Sequence, residues 1–339
     1  MVPLRITLEA HVDSGWEELV AADRNSSFFH QAIWLEILAG AYPYYHPSYF
    51  LALDDAGRLL GGLPAVRSVR FGLTQLLSLP YGAYGAPLAR ADSRAERDSI
   101  RAALLERWLQ EMRRPGVVRA HLVLFTPPGG ETIHLEIPGR ETVVERTHLA
   151  DLRAGFESLW SSGFEGDKRT DSRKAERLGV VVIKESGSSA AQVMEDLYRD
   201  QAAEWTDHTP FPPGLFHSLL ERAPNSVLVW VARFEGKPVA AHLVLYHKQI
   251  ASTWIGVAQP DARRLGAGNY IYKVMIEDAA DRGLAFFNLG GSRGRPALES
   301  FKAGLGGVPR EYQTYLHEAA WFKPAHRLLH KLRGLREPV

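Results

Sequence analysis

The residues best suited to chemistry lie near the end of a predicted buried strand. Residues 287–292, Phe-Asn-Leu-Gly-Gly-Ser, carry this strand into a polar turn, and residues 301–307, Phe-Lys-Ala-Gly-Leu-Gly-Gly, follow soon after. A glycine turn lets the backbone approach a ligand closely, so Asn288 and Ser292 are candidate substrate-binding residues. Lys302, between an aromatic residue and glycines, is predicted to be partly desolvated and to balance an anion or stabilise a developing oxyanion. The alternative for Lys302 is a solvated surface lysine.

A second motif has the residue types that bind a pyrophosphate. Arg263, Gly266 and Gly268 follow the spacing Arg-x-x-Gly-x-Gly directly before a predicted helix that begins at Asn269. Glycines let the backbone approach phosphates, N–H groups at a helix start donate to them, and the arginine adds positive charge. We therefore expect these four residues to hold a pyrophosphate. A plain glycine-rich turn between a strand and a helix is the alternative.

A third candidate is the polar, proline-rich segment of residues 204–213, between two predicted helices. In one interpretation it binds an acceptor, with Trp205 stacked on a sugar and Asp207 or His208 contacting an amine. In the other it is a connector stiffened by prolines around a buried tryptophan. The thirteen histidines are dispersed and cysteine is absent, so no metal site is predicted.

The elements that must position these residues follow one pattern twice. In residues 49–125 a hairpin turning at Gly57 precedes a third strand, a loop, a helix at about 93–112 and a buried strand. In residues 227–289 a hairpin turning at Gly236 precedes a third strand, a loop at 261–268, a helix and a buried strand. The repetition predicts a duplicated α/β fold. Convergence of common supersecondary units is the alternative.

Charge and the remaining helices indicate how the chain is divided. Further helices are predicted at 152–160, 167–178 and 192–205, and a short basic helix is predicted at 324–336. Every lysine lies within residues 151–339, starting with Lys168. We expect an N-terminal domain at 1–150, a C-terminal domain at 151–318 and a basic C-terminal helix at 319–339. The net charge of +1 argues against a general polyanion-binding protein.

The compartment is predicted from what the sequence lacks. The first residues, Met-Val-Pro-Leu-Arg-Ile, do not resemble a secretory signal, and no apolar run reaches the 18 or so residues that span a bilayer. We expect a cytoplasmic protein, either a monomer or a homodimer. The basic C-terminal helix is a candidate for contact with an anionic membrane surface, although such a helix more commonly docks on its own domain.

Several motifs resemble those of a known family. Residues 287–306 resemble the closing motif of the FemAB-like branch of the GNAT superfamily. That branch includes aminoacyltransferases of peptidoglycan precursors and acetyltransferase-like proteins of polysaccharide operons. Residues 28–34 resemble the early Phe-x-x-x-x-Trp segment of the family. Residues 79–88 resemble a loop of members associated with exopolysaccharide and exosortase systems, and residues 168–179 resemble the basic helix that opens the second domain.

The resemblance, which spans about residues 25–315, implies a fold and a reaction. It implies an α/β (α+β) fold of two tandem GNAT-like domains, each a mostly antiparallel mixed sheet flanked by helices. It also implies N-acyl transfer by direct attack of an amine on the acyl donor. Lys302 matches the functionally important lysine of the Phe-Lys motif. Proton acceptors are expected among a small polar set: Tyr270, Tyr272, Asp207, His208 and Glu299.

Two donors are compatible with this resemblance. The Arg-x-x-Gly-x-Gly spacing is the one by which acyl-CoA-binding acetyltransferases hold a pyrophosphate, which favours acyl-CoA, for example acetyl-CoA. Relatives that use aminoacyl-tRNA often carry a coiled-coil arm, and residues 167–191 contain no paired heptads for one. An aminoacyl-tRNA donor is the alternative, with Arg173 and the other cations of 168–179 contacting phosphates.

The acceptor class is predicted only broadly. An enzyme of this kind would acylate an amino group of a sugar nucleotide, a cell-envelope precursor or a small metabolite. A non-catalytic module that binds a glycan or a nucleotide sugar is the alternative from another functional class. In either case Trp34, Tyr81 and Tyr84 are candidate substrate-binding residues that would stack on sugars. The competing interpretation makes these aromatic residues part of the first domain's core.

Overall fold

The computed structural model describes residues 4–133, 141–203, 205 and 210–324. The chain forms two compact units. The first consists of Met1–Glu145 and Tyr312–Glu337, and the second of Arg146–Glu311. The first unit therefore contains two separate stretches of the chain, whereas the second is a single insertion between them.

The first unit is a mixed sheet covered by helices. In chain order its elements are β1 (Arg5–Glu9), α1 (Ser14–Ala22), α2 (Ala32–Ala41), β2 (Tyr45–Leu53), β3 (Leu59–Arg70), β4 (Leu73–Leu77), β5 (Leu88–Ala89), α3 (Arg94–Met112), β6 (Val117–Leu124) and, from Tyr312 onward, the greater part of β13 (Val308–Glu318). The strand order is β1-β2-β3-β4-β6-β13, and β5 pairs with β3. Among the described strands of this unit, β4 and β6 form the parallel pair, because α3 connects them as a crossover.

Helix α3 forms the core of this unit. Ser93 and Glu96 make a reciprocal capping box at its N-terminus, which satisfies two N–H groups that the helix itself leaves without partners. Leu104 and Trp108, four residues apart, lie on the buried face that packs against β2 and β3. The spacing of apolar residues along α3 is therefore what places this helix on the sheet.

The second unit has the same architecture. Its elements are β7 (Glu141–Asp151), α4 (Phe156–Ser158), α5 (Gly166–Arg177), β8 (Val181–Glu185), α6 (Gly187–Ala202), α7 (Leu215–Arg222), β9 (Val227–Phe234), β10 (Lys237–His247), β11 (Ile250–Ala258), α8 (Pro260–Leu265), α9 (Ala267–Asp281), β12 (Phe286–Gly291) and α10 (Pro296–Gly304). The strand order is β8-β9-β10-β11-β12-β7. Here β11 and β12 are the parallel pair, connected through α9.

The two units repeat one pattern, as the sequence predicts. In each, antiparallel strands lead to a parallel neighbour through a helix, and an antiparallel strand completes the sheet. The β2–β3 and β9–β10 hairpins turn at Gly57 and Gly236, which have φ angles of 79° and 77°. The predicted α/β class with a duplicated, mostly antiparallel mixed sheet is therefore confirmed.

The division of the chain differs from the expected one in the final strand. We expected residues 151–318 to form one domain, but the segment from Tyr312 belongs to the first unit. The reason is strand pairing: β13 is antiparallel to β6, with Gln313 opposite Leu124 and Glu318 opposite Arg119. The first division between the units falls after Glu145, five residues before the expected boundary.

Three local predictions need correction or lie outside the described residues. The expected loop at 261–268 contains most of helix α8, which ends at Leu265 and is capped by Gly266. The expected helix at 152–160 is the short α4 followed by a π-helical turn over Leu159–Gly163. The basic helix expected at 324–336 lies outside the described residues except for Pro324. Among the described helices, none has the length and apolar character needed to cross a membrane.

Candidate active site

The candidate site lies where the two parallel strands of the second unit part. The register between β11 and β12 runs from Ile250 opposite Phe286 to Ser252 opposite Asn288, whereas β11 continues to Ala258. Crevices beyond the carboxyl ends of parallel strands are where open α/β sheets bind ligands. Gly290 lies at this point with a φ of 78°, and a Cβ there would be 3.3 Å from the Thr253 carbonyl oxygen. The two strands therefore separate at a glycine, Gly290.

Lys302 reaches this point from the last turn of α10. Its side chain is 4% exposed, and its Nζ atom donates to the carbonyl oxygens of Gly290, at 2.8 Å, and Gly291, at 2.7 Å. An ammonium group has three N–H donors, so one remains beyond these two bonds. Burial lowers the pKa of Lys302 to about 8, with a further lowering by Arg295 and an opposing effect of Glu299. The predicted desolvation of this lysine is thus what the structure shows.

Asn288 holds the glycine turn in place. Its Oδ1 atom accepts from the Thr147 hydroxyl at 2.6 Å and from the Gly290 N–H at 2.9 Å. Ser292, just beyond the turn, is buried, and its hydroxyl makes no hydrogen bond within the described part of the chain. Asn288 therefore positions the backbone to which Lys302 is bonded, while Ser292 keeps unused hydrogen-bonding capacity beside it.

Two buried histidines lie within the electrostatic reach of Lys302. Burial first, and then the charge of Lys302, lower the pKa values of His148 and His242, the latter to about 3. Both imidazoles are therefore neutral at neutral pH. In the described part of the chain, neither Nδ1 atom makes a hydrogen bond. His242 packs against the ring of Tyr272, with centroids 4.7 Å apart. Buried polar atoms without partners require an explanation, and a ligand is one.

The predicted pyrophosphate motif occupies the junction of α8 and α9. Gly266 has a φ of 74° and ends α8, and a Cβ there would lie 2.5 Å from the Asp171 carbonyl oxygen of α5. Gly268, by contrast, has no atom within 4 Å of an added Cβ. Asn269 donates through Nδ2 to Asp171 Oδ2 at 2.9 Å, and Arg263 is exposed. The motif thus combines one glycine needed for packing with one that faces open space.

Helix α5 presents a basic face beside this junction. An open cavity of about 420 Å³ is lined by Thr170, Arg173, Glu176 and Arg177. The Arg173 guanidinium lies 5.7 Å from the centre of the Trp160 ring. Lys174 Nζ donates to the Arg264 carbonyl oxygen at 2.9 Å, which ties α5 to the end of α8. Arg173 is therefore exposed in a position that can contact an anion.

The tyrosines of α9 differ from the sequence-based expectation. Burial and then the charge of Glu176 raise the pKa of Tyr270, while Lys273 opposes them. Tyr272, two residues on and therefore on another side of the helix, packs against Phe301 next to Lys302, with ring centroids 5.7 Å apart. Tyr272, which the sequence ranked no higher than Tyr270, is thus the one near the lysine.

The proline-rich segment is described only in part. Trp205 is partly buried, and its ring makes an edge contact with Tyr198, with centroids 6.0 Å apart. Asp207 and His208 lie outside the described residues. The prediction that this segment binds an acceptor therefore stays a prediction.

The aromatic candidates of the first unit are mostly core residues. Trp34 is fully buried against Phe28 and Phe29, so no face of its ring is available for a sugar. Tyr84 is buried and stacks on Phe125 at 4.1 Å. These two expectations are corrected, since apolar contacts account for both rings. Tyr81 remains partly exposed.

Tyr81 belongs to a cluster of four tyrosines. Its hydroxyl lies 2.9 Å from that of Tyr45, and its ring stacks on Tyr42 with centroids 5.5 Å apart. Tyr44 adjoins the same cluster through an edge contact with Tyr42. Burial is the main cause of the raised pKa of Tyr45 and Tyr81, so both phenols are neutral.

Sequence reasoning missed His148. It is one histidine in a strand, and nothing in its neighbourhood along the chain signals that β7 brings it close to Lys302. No group of three His, Asp or Glu side chains in the described ranges is arranged to hold a metal ion.

Comparison with known families and structures connects these observations. Residues 164–303 match the family model of the "Acetyltransferase (GNAT) domain". This range includes the α8–α9 junction, β11, β12 and Lys302. No curated protein matches the chain in sequence.

Solved structures share the fold across nearly the whole chain. FemX superposes with a TM-score of 0.69 at 10% identity, covering 95% of this chain and 99% of FemX. The C-terminal domain of a putative lysylphosphatidylglycerol synthetase from Agrobacterium fabrum gives 0.59 at 15% identity, covering 96% of this chain and 98% of that domain. A tandem GNAT protein from the clavulanic acid biosynthesis pathway gives 0.54 at 14% identity, covering 93% and 98%.

These similarities agree with the resemblance read from the sequence. The predicted tandem GNAT-like fold is confirmed, and the neighbours include FemX, as expected for the FemAB-like branch. Residues 164–303 match a GNAT acetyltransferase domain, and this domain supports an acyltransferase.

Proposed function

We propose that this acyltransferase moves an acyl group from acyl-CoA to an amine. The observation that carries the proposal is Lys302, a buried cation at the point where β11 and β12 part. A preorganised positive charge in a site shielded from water stabilises an oxyanion far better than the same charge in water does. Acyl-CoA, when bound, supplies a thioester whose C–S bond is exchanged for a C–N bond to the amine.

Lys302 and its neighbours have separate roles in this proposal. The carbonyl oxygens of Gly290 and Gly291 fix the ammonium, and its third N–H is directed to the acyl oxygen as negative charge develops. Asn288 holds the turn that supplies those carbonyls. The attacking amine must also lose a proton. We assign that proton to His148, because its imidazole is neutral and its Nδ1 atom is without a partner in the described part of the chain.

The residues at the start of α9 fit a pyrophosphate in most respects. The N–H groups of Ala267, Gly268 and Asn269 form the first turn, where a helix leaves its donors without internal partners. The open space at Gly268 admits a bulky anion. Asp171 places a carboxylate beside this turn, so Arg263 and the neighbouring cations of α5 and α8 must offset it.

For the acceptor, the proposal gives only a chemical class. We infer an amine on a sugar nucleotide, a cell-envelope precursor or a small metabolite, on the basis of the motif at residues 79–88. The proposal includes a cytoplasmic location, which suits an acyl-CoA donor. Among the aromatic candidates, Tyr81 in the first unit and Trp205 in the second are partly exposed, and we assign contact with such an acceptor to them.

Replacement of Lys302 tests the proposal. With acetyl-CoA and a panel of amines, Lys302→Met is expected to lower kcat/KM by about 10²–10³-fold, the scale of losing one oxyanion donor. The rate of the unchanged enzyme should fall as the pH rises through about 8, where Lys302 loses its proton. Lys184→Met is the matched control, since that lysine pairs with Asp278 on the surface. Equal rates for Lys302→Met and the control would contradict the proposal.

An aminoacyl-tRNA donor is the second candidate, and the basic face of α5 favours it. Arg173 and Arg177 line an open cavity there, and such cations bind phosphates in a salt-dependent manner. A thermal-shift series with CoA, acetyl-CoA and tRNA at low and moderate salt separates the two donors. A ligand at 100 times its Kd stabilises by about 2.7 kcal/mol, which corresponds to several degrees.

The variant Gly268→Asp sharpens the donor test. An aspartate in the first turn of a helix is favourable, and an added Cβ at Gly268 meets no atom, so we expect unchanged or higher stability without ligand. The same carboxylate should abolish the CoA shift by repelling the pyrophosphate. If Gly268→Asp kept the thermal shift with CoA, the donor would not bind at the start of α9. A thermal shift with tRNA alone that is lost at moderate salt would identify aminoacyl-tRNA, and not acyl-CoA, as the donor.

A further inference from the structure

Phe71 occupies an unusual position at the tip of a hairpin. It is 99% exposed, and with Gly72 it forms the two-residue turn between β3 and β4. The φ angles of the pair are 52° and 74°. Two-residue turns with both φ angles positive favour Asn-Gly or Asp-Gly, because a bulky side chain in the left-handed region is strained. Folding alone therefore does not account for a phenylalanine here.

The strand directions bring other exposed groups to the same end of this sheet. β4 and β6 begin at this end, and the Thr74 N–H donates to the Gly116 carbonyl oxygen at 2.8 Å. β13 ends at this end, and the Ala319 N–H donates to the Val118 carbonyl oxygen at 2.9 Å. Trp321, two residues further, is 64% exposed. Two large aromatic side chains thus project from one end of one sheet.

Cations lie at the same strand ends as these aromatic residues. They are Arg67 and Arg70 at the end of β3, Arg113 and Arg114 before β6, and Lys323 after β13. The Arg70 guanidinium lies 3.5 Å from the centre of the Tyr44 ring. The acidic groups facing this end are buried or engaged. Glu111 is buried and pairs with Arg107 and Arg114, and Glu318 lies 3.7 Å from Arg119. In the described ranges neither Arg67 nor Arg113 forms an ion pair, which leaves a net positive rim.

We propose that this end of the first unit, the Phe71 face (Arg67, Arg70, Phe71, Arg113 and Trp321), binds the surface of an anionic lipid bilayer. Exposed aromatic side chains enter the boundary between headgroups and acyl chains, while neighbouring arginines attract anionic headgroups. The proposal does not depend on the acyl donor or on Lys302.

The projecting tip favours a bilayer over a nucleic acid. Single-stranded nucleic acids are bound in grooves where bases stack on aromatic rings along a basic track. Phe71 instead protrudes from a turn with nearly all of its side chain exposed, and Val69, two residues before, is exposed as well. A protruding apolar tip with a positive rim matches the layered chemistry of a membrane surface.

Vesicle flotation tests the proposal with the full chain. We expect binding to vesicles of phosphatidylcholine with 30 mol% phosphatidylglycerol, and far weaker binding to phosphatidylcholine alone. Phe71→Asn should weaken binding by about 30-fold, the scale of withdrawing one buried phenylalanine side chain. Arg67→Gln with Arg113→Gln should weaken binding by about fivefold per arginine, an effect that salt removes.

The same variant separates docking from folding. Phe71→Asn places the preferred residue in the turn, so its melting temperature should rise by about 2–4 °C even as vesicle binding falls. Glu235→Asn is the matched control, because Glu235 and Gly236 form the equivalent turn of the β9–β10 hairpin with φ angles of 50° and 77°. Glu235→Asn should raise the stability of the chain and leave vesicle binding unchanged.

Three results would overturn the proposal. These are vesicle binding independent of phosphatidylglycerol, equal binding by Phe71→Asn and the unchanged chain, or tRNA binding that Phe71→Asn abolishes. The last would assign the Phe71 face to a nucleic acid.

Discussion

Lys302 has a pKa of about 8 in the folded chain, whereas unfolding restores the ordinary value of 10.5. Between these two values the unfolded chain binds more protons than the folded one does. The free energy of unfolding must therefore rise with pH across this window, by at most roughly 3 kcal/mol from this one group. Below pH 8 the cost of burying the charge is fully present. A cation kept at such a cost at the parting of two strands is better explained by function than by stability.

This linkage gives a prediction at the residue scale. From pH 8 to 10.5 the unchanged chain should gain stability relative to Lys302→Met, while its acyltransferase rate falls over the same interval. Denaturant unfolding of both chains at several pH values measures the difference, and Lys184→Met is the control. If Lys302 only closed the glycine turn, stability would still change with pH, but the acyltransferase rate would not fall over this interval.

Single residues were predictable where a motif surrounds them and unpredictable where only the fold brings them together. Lys302 and Asn288 lie in a recognisable strand–turn–helix pattern, and the structure joins them at one glycine turn. His148 has no such pattern. Its nearness to Lys302 depends on β12 pairing with a strand about 140 residues earlier in the chain, as the bond between Thr147 and Asn288 shows.

At the scale of elements, the hairpins and long helices followed from the sequence. Continuous apolar runs predict β9 and β10, in which consecutive residues are buried on both faces of the sheet. Apolar residues at helical spacing predict α3 and α9, each of which buries one face. Helix α8 was missed because its six residues include two adjacent arginines and no repeating apolar face. Its N-terminal proline and Asp261 in the first turn are the local signals of a helix start.

The two glycines of the α8–α9 junction show why a motif does not reveal the role of each position. Gly266 is required by the backbone, because its φ is positive and α5 lies against it. Gly268 has neither constraint, so the space around it is available to a ligand. The sequence alone predicts that both glycines contact a pyrophosphate. In the structure only Gly268 has free space beside it for a ligand.

At the scale of the molecule, the sequence predicted the repeat but not the return of the last strand. Both units end their sheets with an antiparallel strand beside the parallel pair, β13 in the first unit and β7 in the second. Thr314 and Tyr315 of β13 are buried in the first unit, opposite Val123 and Leu122. A strand so far from its partner along the chain leaves no local sign of where it pairs.

This arrangement predicts how fragments behave. Residues 146–311 should fold alone, since they contain a complete set of strands, whereas residues 1–145 should not melt cooperatively without β13. Joining 1–145 to 312–324 through a short glycine-serine linker should restore a cooperative transition, because Thr314 Oγ1 lies 3.2 Å from Glu145 Oε2. Circular dichroism melts of the three fragments make the comparison. Cooperative melting of 1–145 alone would show that β13 is dispensable.

The return of β13 also constrains events during synthesis. The ribosome must translate residues 146–311 after the first part of the first unit has emerged and before β13 is available. At ~5–20 residues per second, this leaves the β6 edge without that strand for roughly 10–30 s. An uncovered apolar edge strand is a template for intermolecular pairing. The yield of this protein in a cell should therefore depend on translation speed and on holdase chaperones more than its final stability would suggest.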